Sequence, residues 1–96
     1  MKFLHTMVRV LDLEKSLDFY VNKLGLIETR RVDVPKGEFS LIFLATEVGG
    51  PEIELTHNWG STENYSDGRN FGHLAFQVDD IYALCEKLQS EGVVIS

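Results

Sequence analysis

The sequence predicts an α+β fold in which one complete β-α-β-β-β module is followed by the opening strand and helix of a second, incomplete one. The first observation behind this is a repeat. His5-Thr6-Met7-Val8-Arg9-Val10-Leu11-Asp12-Leu13 is echoed by His73-Leu74-Ala75-Phe76-Gln77-Val78-Asp79-Asp80-Ile81, with histidine, valine, aspartate and an aliphatic residue recurring at one offset of 68 (5 to 73, 10 to 78, 12 to 80, 13 to 81). Self-similarity at a fixed period marks a supersecondary unit used twice. The second observation is that the stretch between the copies holds three runs of β-forming residues separated by Pro and Gly breakers.

Each element follows in order. Phe3 to Val10 is rich in β-formers and reads as a strand. Asp12 then supplies an N-cap, Leu13, Leu17, Phe19, Tyr20 and Leu24 form an apolar helical stripe, and Gly25 closes the helix. Leu26 to Val32 and Phe39 to Ala45 are strands on either side of the turn Asp33-Val34-Pro35-Lys36-Gly37. Gly49-Gly50-Pro51 breaks the chain before a fourth strand, Glu52 to Asn58. The organisation is thus a first module over 1–60, a polar linker over 61–70 and the start of a second module over 71–96. In that last part Phe71 to Val78 repeats the strand, Asp80 to Ser90 repeats the helix with Leu84 and Leu88 on one face, and Val93 to Ser96 begins another strand.

Composition narrows the function classes. Ninety-six residues, 44% hydrophobic and 25% charged, describe a single globular domain whose small core would gain from a partner. A net charge of −6 argues against nucleic acid or anionic membrane as the main partner, because neither gains from phosphate neutralisation by an acidic surface. One cysteine, Cys85, excludes an intrachain disulfide framework, and there is neither an N-terminal apolar leader pattern nor a run of 18 apolar residues. A reducing, cytoplasmic setting is the expectation.

Strand alternation selects which side chains work together. His5, Met7 and Arg9 share one face of the first strand; Glu54, Thr56 and Asn58 share one face of the fourth; His73, Ala75 and Gln77 share one face of the fifth. A sheet face that buries His, Arg, Glu, Thr and Asn is costly unless the groups are paired, hold a metal or line a wet cavity. A single strand histidine is more often a hydrogen-bonded structural residue than a ligand; the repetition of His5 at His73, together with Glu54, reverses that reading.

These residues resemble a known family. His5-Thr6-Met7-Val8-Arg9-Val10 with Asp12-Leu13 and Ser16-Leu17-Asp18-Phe19-Tyr20, then Ile53-Glu54-Leu55-Thr56-His57-Asn58-Trp59-Gly60, then Phe71-Gly72-His73, together resemble glyoxalase I, a lactoylglutathione lyase of the vicinal oxygen chelate superfamily. The resemblance runs over essentially the whole chain, with three motifs in the family's order. It implies tandem βαβββ modules, the glyoxalase (vicinal oxygen chelate) fold, and isomerisation of the methylglyoxal–glutathione hemithioacetal to S-lactoylglutathione, a methylglyoxal detoxification. His5, Glu54 and His73 fall on three of the family's four metal-ligand positions, and Glu54 is the catalytic base this chain can offer. Histidine at the first position points to nickel, with cobalt or zinc as alternatives; mixed imidazole and carboxylate donors suit all three. Arg9, Asn58 and Arg69 fall on positions that hold glutathione, whose two carboxylates a guanidinium can clamp bidentately.

The resemblance also implies a homodimer with active sites at the interface, each drawing ligands from two chains. The fourth ligand, a second-module glutamate and the main proton shuttle, is absent: the repeat offset carries Glu54 to position 122, past Ser96. The expectation is therefore that these 96 residues are part of a longer enzyme and show little lyase activity alone, a naturally short form being the alternative. Two other functions stay open, a different metalloenzyme of the superfamily and a non-catalytic binding module. The Arg9 and Asn58 constellation separates the first reading from another enzyme, and metal content separates both from a binding module.

The remaining polar and aromatic residues have plainer readings. His57 lies on the face opposite Glu54 and reads as surface or interface, and Cys85 beside Leu84 and Leu88 reads as a packed thiol. Trp59 either caps the cavity or packs at the sheet end. Arg30 and Arg31, beside Asp33, read as ordinary exposed charge.

Overall fold

A computed structural model describes all residues, Met1–Ser96. Its elements are β1 (His5–Arg9), α1 (Leu13–Leu17), β2 (Ile27–Val34), β3 (Phe39–Ala45), β4 (Glu52–Asn58) and α2 (Ile81–Ser90). They fall into two compact units, Met1–Ser66 and Asp67–Ser96. No helix is long and apolar enough to cross a membrane.

The first unit is a four-stranded sheet in the order β1-β4-β3-β2. β1 and β4 run parallel, with His5, Met7 and Arg9 in register with Glu52, Glu54 and Thr56. The other pairs are antiparallel, Phe43 opposing Glu54 and Ile42 opposing Leu55. A parallel neighbour for β1 requires a crossover, which the helix after β1 begins. Pleating then sends Val8, Ile53, Leu55, Ile42 and Leu44 to one face of the sheet. Ile42, Leu44 and Leu55 are 0% exposed and form the core with Val10 and Leu26, against which Leu13, Leu17, Tyr20 and Val21 of the helical segment pack.

That segment starts as the sequence predicts, the Asp12 side chain accepting a hydrogen bond from the Lys15 backbone N–H at 3.0 Å. It then widens. Asp18–Lys23 form a π-helix, and Leu24 donates to the Phe19 carbonyl five residues back. The wider turn brings Tyr20 and Val21 onto the core, while Phe19 meets Tyr20 edge-on at 5.1 Å. Gly25, with φ +85°, ends the helix, as only glycine takes that left-handed conformation without strain.

β3 and β4 match their predicted bounds, and β2 runs on to Val34, so the turn begins at Pro35. A register shift between Glu28 and Arg30 interrupts the β2–β3 ladder. In the second unit Asp80 caps α2 through the Ala83 N–H at 3.0 Å, and Leu88 is its buried residue. The predicted strands at 71–78 and 93–96 carry no ladder. Their composition favours β structure, but a strand exists only with a hydrogen-bonded neighbour, and here those segments have none.

Candidate functional site

The face of the sheet turned away from α1 carries the candidate site. Register places three rows across it: His5, Glu52, Ala45 and Ile27; Met7, Glu54, Phe43 and Arg30; Arg9, Thr56, Leu41 and Val32, with Asn58 and Phe39 beyond. All of the predicted first-module site residues therefore share one face, as alternation requires.

His5 and Glu54 meet. The His5 Nε2 lies 3.8 Å from Glu54 Oε2, although His5 is in register with Glu52, so the imidazole leans along the strand toward the neighbouring row. The Glu54 side chain is 13% exposed and that of His5 35%, which leaves both donors reachable from solvent on one side. Arg9 and Asn58 also meet, the Arg9 Nη1 donating to Asn58 Oδ1 at 2.8 Å. That bond leaves the rest of the guanidinium fork free to meet a carboxylate. Thr56, 6% exposed, lies between the two pairs on β4, and no buried side-chain polar atom on the face lacks a partner.

Could one divalent cation join the first pair? Bonds from such an ion to imidazole nitrogen and carboxylate oxygen are each about 2.1 Å, so two of them span up to about 4.2 Å. The 3.8 Å gap falls within that reach, and one neutral nitrogen with one anionic oxygen is a donor set suited to a borderline metal. Within the first unit no third His, Cys, Asp or Glu joins them at metal-holding distance. His73 and Arg69 belong to the second unit, where both are exposed.

Three features of the face go beyond the sequence reading given above. Phe43, 3% exposed, is the floor beneath the site: its ring meets His5 edge-on, centroids 5.5 Å apart at 79°, and carries the Arg30 guanidinium 3.8 Å above its centre. Arg30 is thus not ordinary strand-end charge but a mid-strand cation on the site face. Alternation back from Val32 and Val34 would have placed it there. Arg31 is the conventional one, pairing with Glu28 at 2.8 Å; that pairing lifts its already high pKa further. The third feature is a hydrogen bond from the Thr29 hydroxyl to Glu52, formed at the bulge, which no periodicity announces.

The residues given plainer readings fall on the opposite face or away from it. His57 is half-buried opposite Ser40, and Cys85 is a half-buried free thiol on α2. Trp59 packs at the sheet end: its Nε1 donates to Ser40 Oγ at 2.9 Å, and Ser40 Oγ donates in turn to Asp33 at 2.6 Å.

Comparison with known proteins gives a consistent result. Residues 2–96 match the family model described as the Glyoxalase/Bleomycin resistance protein/Dioxygenase superfamily. A lactoylglutathione lyase of Neisseria meningitidis serogroup A is 50% identical over 94 residues, covering 96% of this chain and 67% of the relative. Among solved structures, the trypanothione-dependent glyoxalase I of Leishmania major superposes with a TM-score of 0.93 at 36% identity, over 100% of this chain and 70% of that one. Glyoxalase I of Zea mays superposes with a TM-score of 0.85 at 35% identity, covering 95% of this chain. This chain spans about two thirds of the Neisseria and Leishmania proteins and 33% of the maize chain.

Proposed function

The chain belongs to the glyoxalase/bleomycin resistance protein/dioxygenase superfamily and, within it, to the lactoylglutathione lyases, and on that premise we propose that its site face serves the metal-dependent isomerisation of a methylglyoxal–glutathione hemithioacetal to S-lactoylglutathione. The observation that carries this reading is the His5–Glu54 pair at 3.8 Å, one residue row from the Arg9–Asn58 pair.

His5 and Glu54, with His73 from the second module, are the residues that would hold the metal, nickel by preference and cobalt or zinc otherwise. When bound, the cation supplies Lewis-acid stabilisation of the oxygens that gain charge during the reaction. The chain's own residues do the rest. Glu54 removes the C1 proton and returns it to the neighbouring carbon, which requires a carboxylate that reaches both carbons from one side; its place on a mid-sheet strand beside Phe43 holds it there. Arg9, oriented by Asn58, receives a carboxylate of the thiol adduct, and Arg69 a further anionic group. Phe43 and Leu41 give the face an apolar floor that strengthens the electrostatic contacts above it.

We propose that a first module over 1–60, a linker over 61–70 and the start of a second module over 71–96 organise the chain, and that it acts as a cytoplasmic homodimer in which His73 of one copy completes the site of another. The test is Glu54→Gln, which keeps shape and removes the charge. Wild-type chain titrated with Ni(II) in a calorimeter is expected to bind it at least tenfold more tightly than the variant, since breaking a ligand costs more than the 10- to 100-fold lost with an outer-shell partner. The slight S-lactoylglutathione formation expected of these 96 residues is lost in the variant. Equal nickel affinity in both proteins would overturn the reading.

A further inference from the structure

We infer that Arg30 is a specificity-determining residue of this site: its guanidinium, held flat on Phe43, binds a carboxylate of the anionic substrate. The inference rests on the function proposed above and goes beyond the Arg9, Asn58 and Arg69 contacts.

Four observations lead to it. Arg30 shares its row with Glu54, Phe43 and Met7, so its side chain is on the site face. Though exposed on the edge strand, it folds toward the sheet, its central carbon 3.8 Å from the centre of the Phe43 ring. The guanidinium therefore overlies β3, the strand next to the one that carries Glu54, and strands are about 4.8 Å apart. Finally, no carboxylate neutralises it. Its neighbour Arg31 is tied to Glu28 on the other face, and in a chain of net charge −6, with 15 acidic residues against 9 basic ones, an unpaired arginine on this face is conspicuous.

Stacking does two things for such a cation. It removes most of the rotameric freedom that an exposed arginine would lose on binding, so less of the interaction is cancelled by ordering. It also occupies the guanidinium's flat surface while leaving its N–H edges in plane, where a carboxylate binds through two parallel hydrogen bonds. Arg9 on β1 and Arg30 on β2 stand on the two edge strands of the sheet, on one face with the His5–Glu54 pair. That arrangement suits a substrate with two separated carboxylates, which the thiol adduct has.

The probe for this is S-methylglutathione, titrated calorimetrically into nickel-saturated chain, with its dimethyl ester as the counterpart that lacks both carboxylates. Arg30→Met, close in volume and neutral, is expected to weaken S-methylglutathione binding about tenfold, as losing a charge-assisted hydrogen bond does. Nickel affinity stays at the wild-type value, and the diester binds wild type and variant equally. Arg30→Lys, which keeps the charge without the fork, falls between them. Wild-type affinity of Arg30→Met for the dicarboxylate probe would overturn the inference. So would an equal loss of affinity for the diester, which would make Arg30 a packing residue. If Arg9→Met loses the probe while Arg30→Met does not, only this inference fails. If wild type binds neither nickel nor probe, the proposed function fails with it.

Discussion

Leu55→Ala separates what stabilises this fold from what equips it. Leu55 sits on β4 between Glu54 and Thr56 but points to the other face, where it is 0% exposed against Val8 of β1, Ile42 of β3 and the helical segment. Truncation to alanine removes about three methylene equivalents, worth about 2.4 kcal/mol of transfer free energy at ~0.8 each. The cavity left beneath α1 adds to that, and measured Leu→Ala losses at such sites run from about 2.7 to 5.0 kcal/mol. An expected loss of about 3 kcal/mol is a large share of what a small domain has, since stability scales at roughly 0.05–0.15 kcal/mol per residue. At about 4–8 °C per kcal/mol for a domain of this size, the midpoint falls by about 12–24 °C. Thermal unfolding followed by circular dichroism measures this, with Leu55→Met as a control expected to lose less than about 1.5 kcal/mol. Below its lowered midpoint the alanine variant still binds nickel as wild type does, because Glu54 is on the opposite face. A midpoint within about 5 °C of wild type, or a folded variant that has lost nickel binding, would refute the separation of faces.

Two further outcomes follow from the same geometry. Asn58→Ala removes the acceptor that orients Arg9 at 2.8 Å, and S-methylglutathione affinity is expected to fall about three- to tenfold while the unfolding midpoint moves little, as a solvent-accessible hydrogen bond is worth about 0.5–1.5 kcal/mol. Burial pushes the Tyr20 hydroxyl pKa up. A group that ionises less readily in the folded state favours folding less as pH climbs: its contribution is intact below the ordinary tyrosine value of about 10 and is lost as pH rises through the folded value. Tyr20→Phe is therefore expected to flatten the fall in stability above about pH 10, as read by urea denaturation along a pH series.

How much of this was written in the sequence depends on whether a residue's role is local. β3 and β4 matched their predicted bounds because their β-rich runs end at turn residues that allow no continuation. The Asp12 cap was legible because a cap needs only a carboxylate and an amide three residues on, and Asp80, its counterpart in the repeat, caps α2 in the same way. His5, Glu54, Arg9 and Asn58 were legible because alternation alone puts them on one face. What alternation cannot supply is register between strands that are distant in sequence. The β1–β4 pairing that brings His5 to Glu54 and Arg9 to Asn58 became visible only with the sheet order. Arg30 was misread for the same reason: its meaning comes from Phe43, the residue it opposes across a bulge. The π-turn at Asp18–Lys23 and the unladdered 71–78 segment lie outside periodicity altogether. The first depends on how the helix must settle on the sheet, and the second on a neighbour that hydrogen-bonds it.

β4 shows why fold and function can coexist in so short a chain. Its odd-side residues, Ile53, Leu55 and His57, face the helix or the sheet's far end, and its even-side residues, Glu52, Glu54, Thr56 and Asn58, lie on the other face, where three of them have a polar task. Glu52 accepts from Thr29, Glu54 pairs with His5, and Asn58 orients Arg9. A sheet face made only of such groups would be expensive to desolvate, and the apolar residues of β3 offset that cost strand by strand. Phe43 opposes Glu54, Leu41 opposes Thr56 and Phe39 opposes Asn58. Each polar residue thus stands beside an apolar one that shields it laterally while leaving it open above. That pattern explains why Phe43 is 3% exposed on a face otherwise built for a ligand: the His5 ring and the Arg30 guanidinium cover it, so the residues that stabilise the floor are also the ones that arm the site. Substitutions on this face should therefore move binding and stability together at Phe43, but binding alone at Asn58.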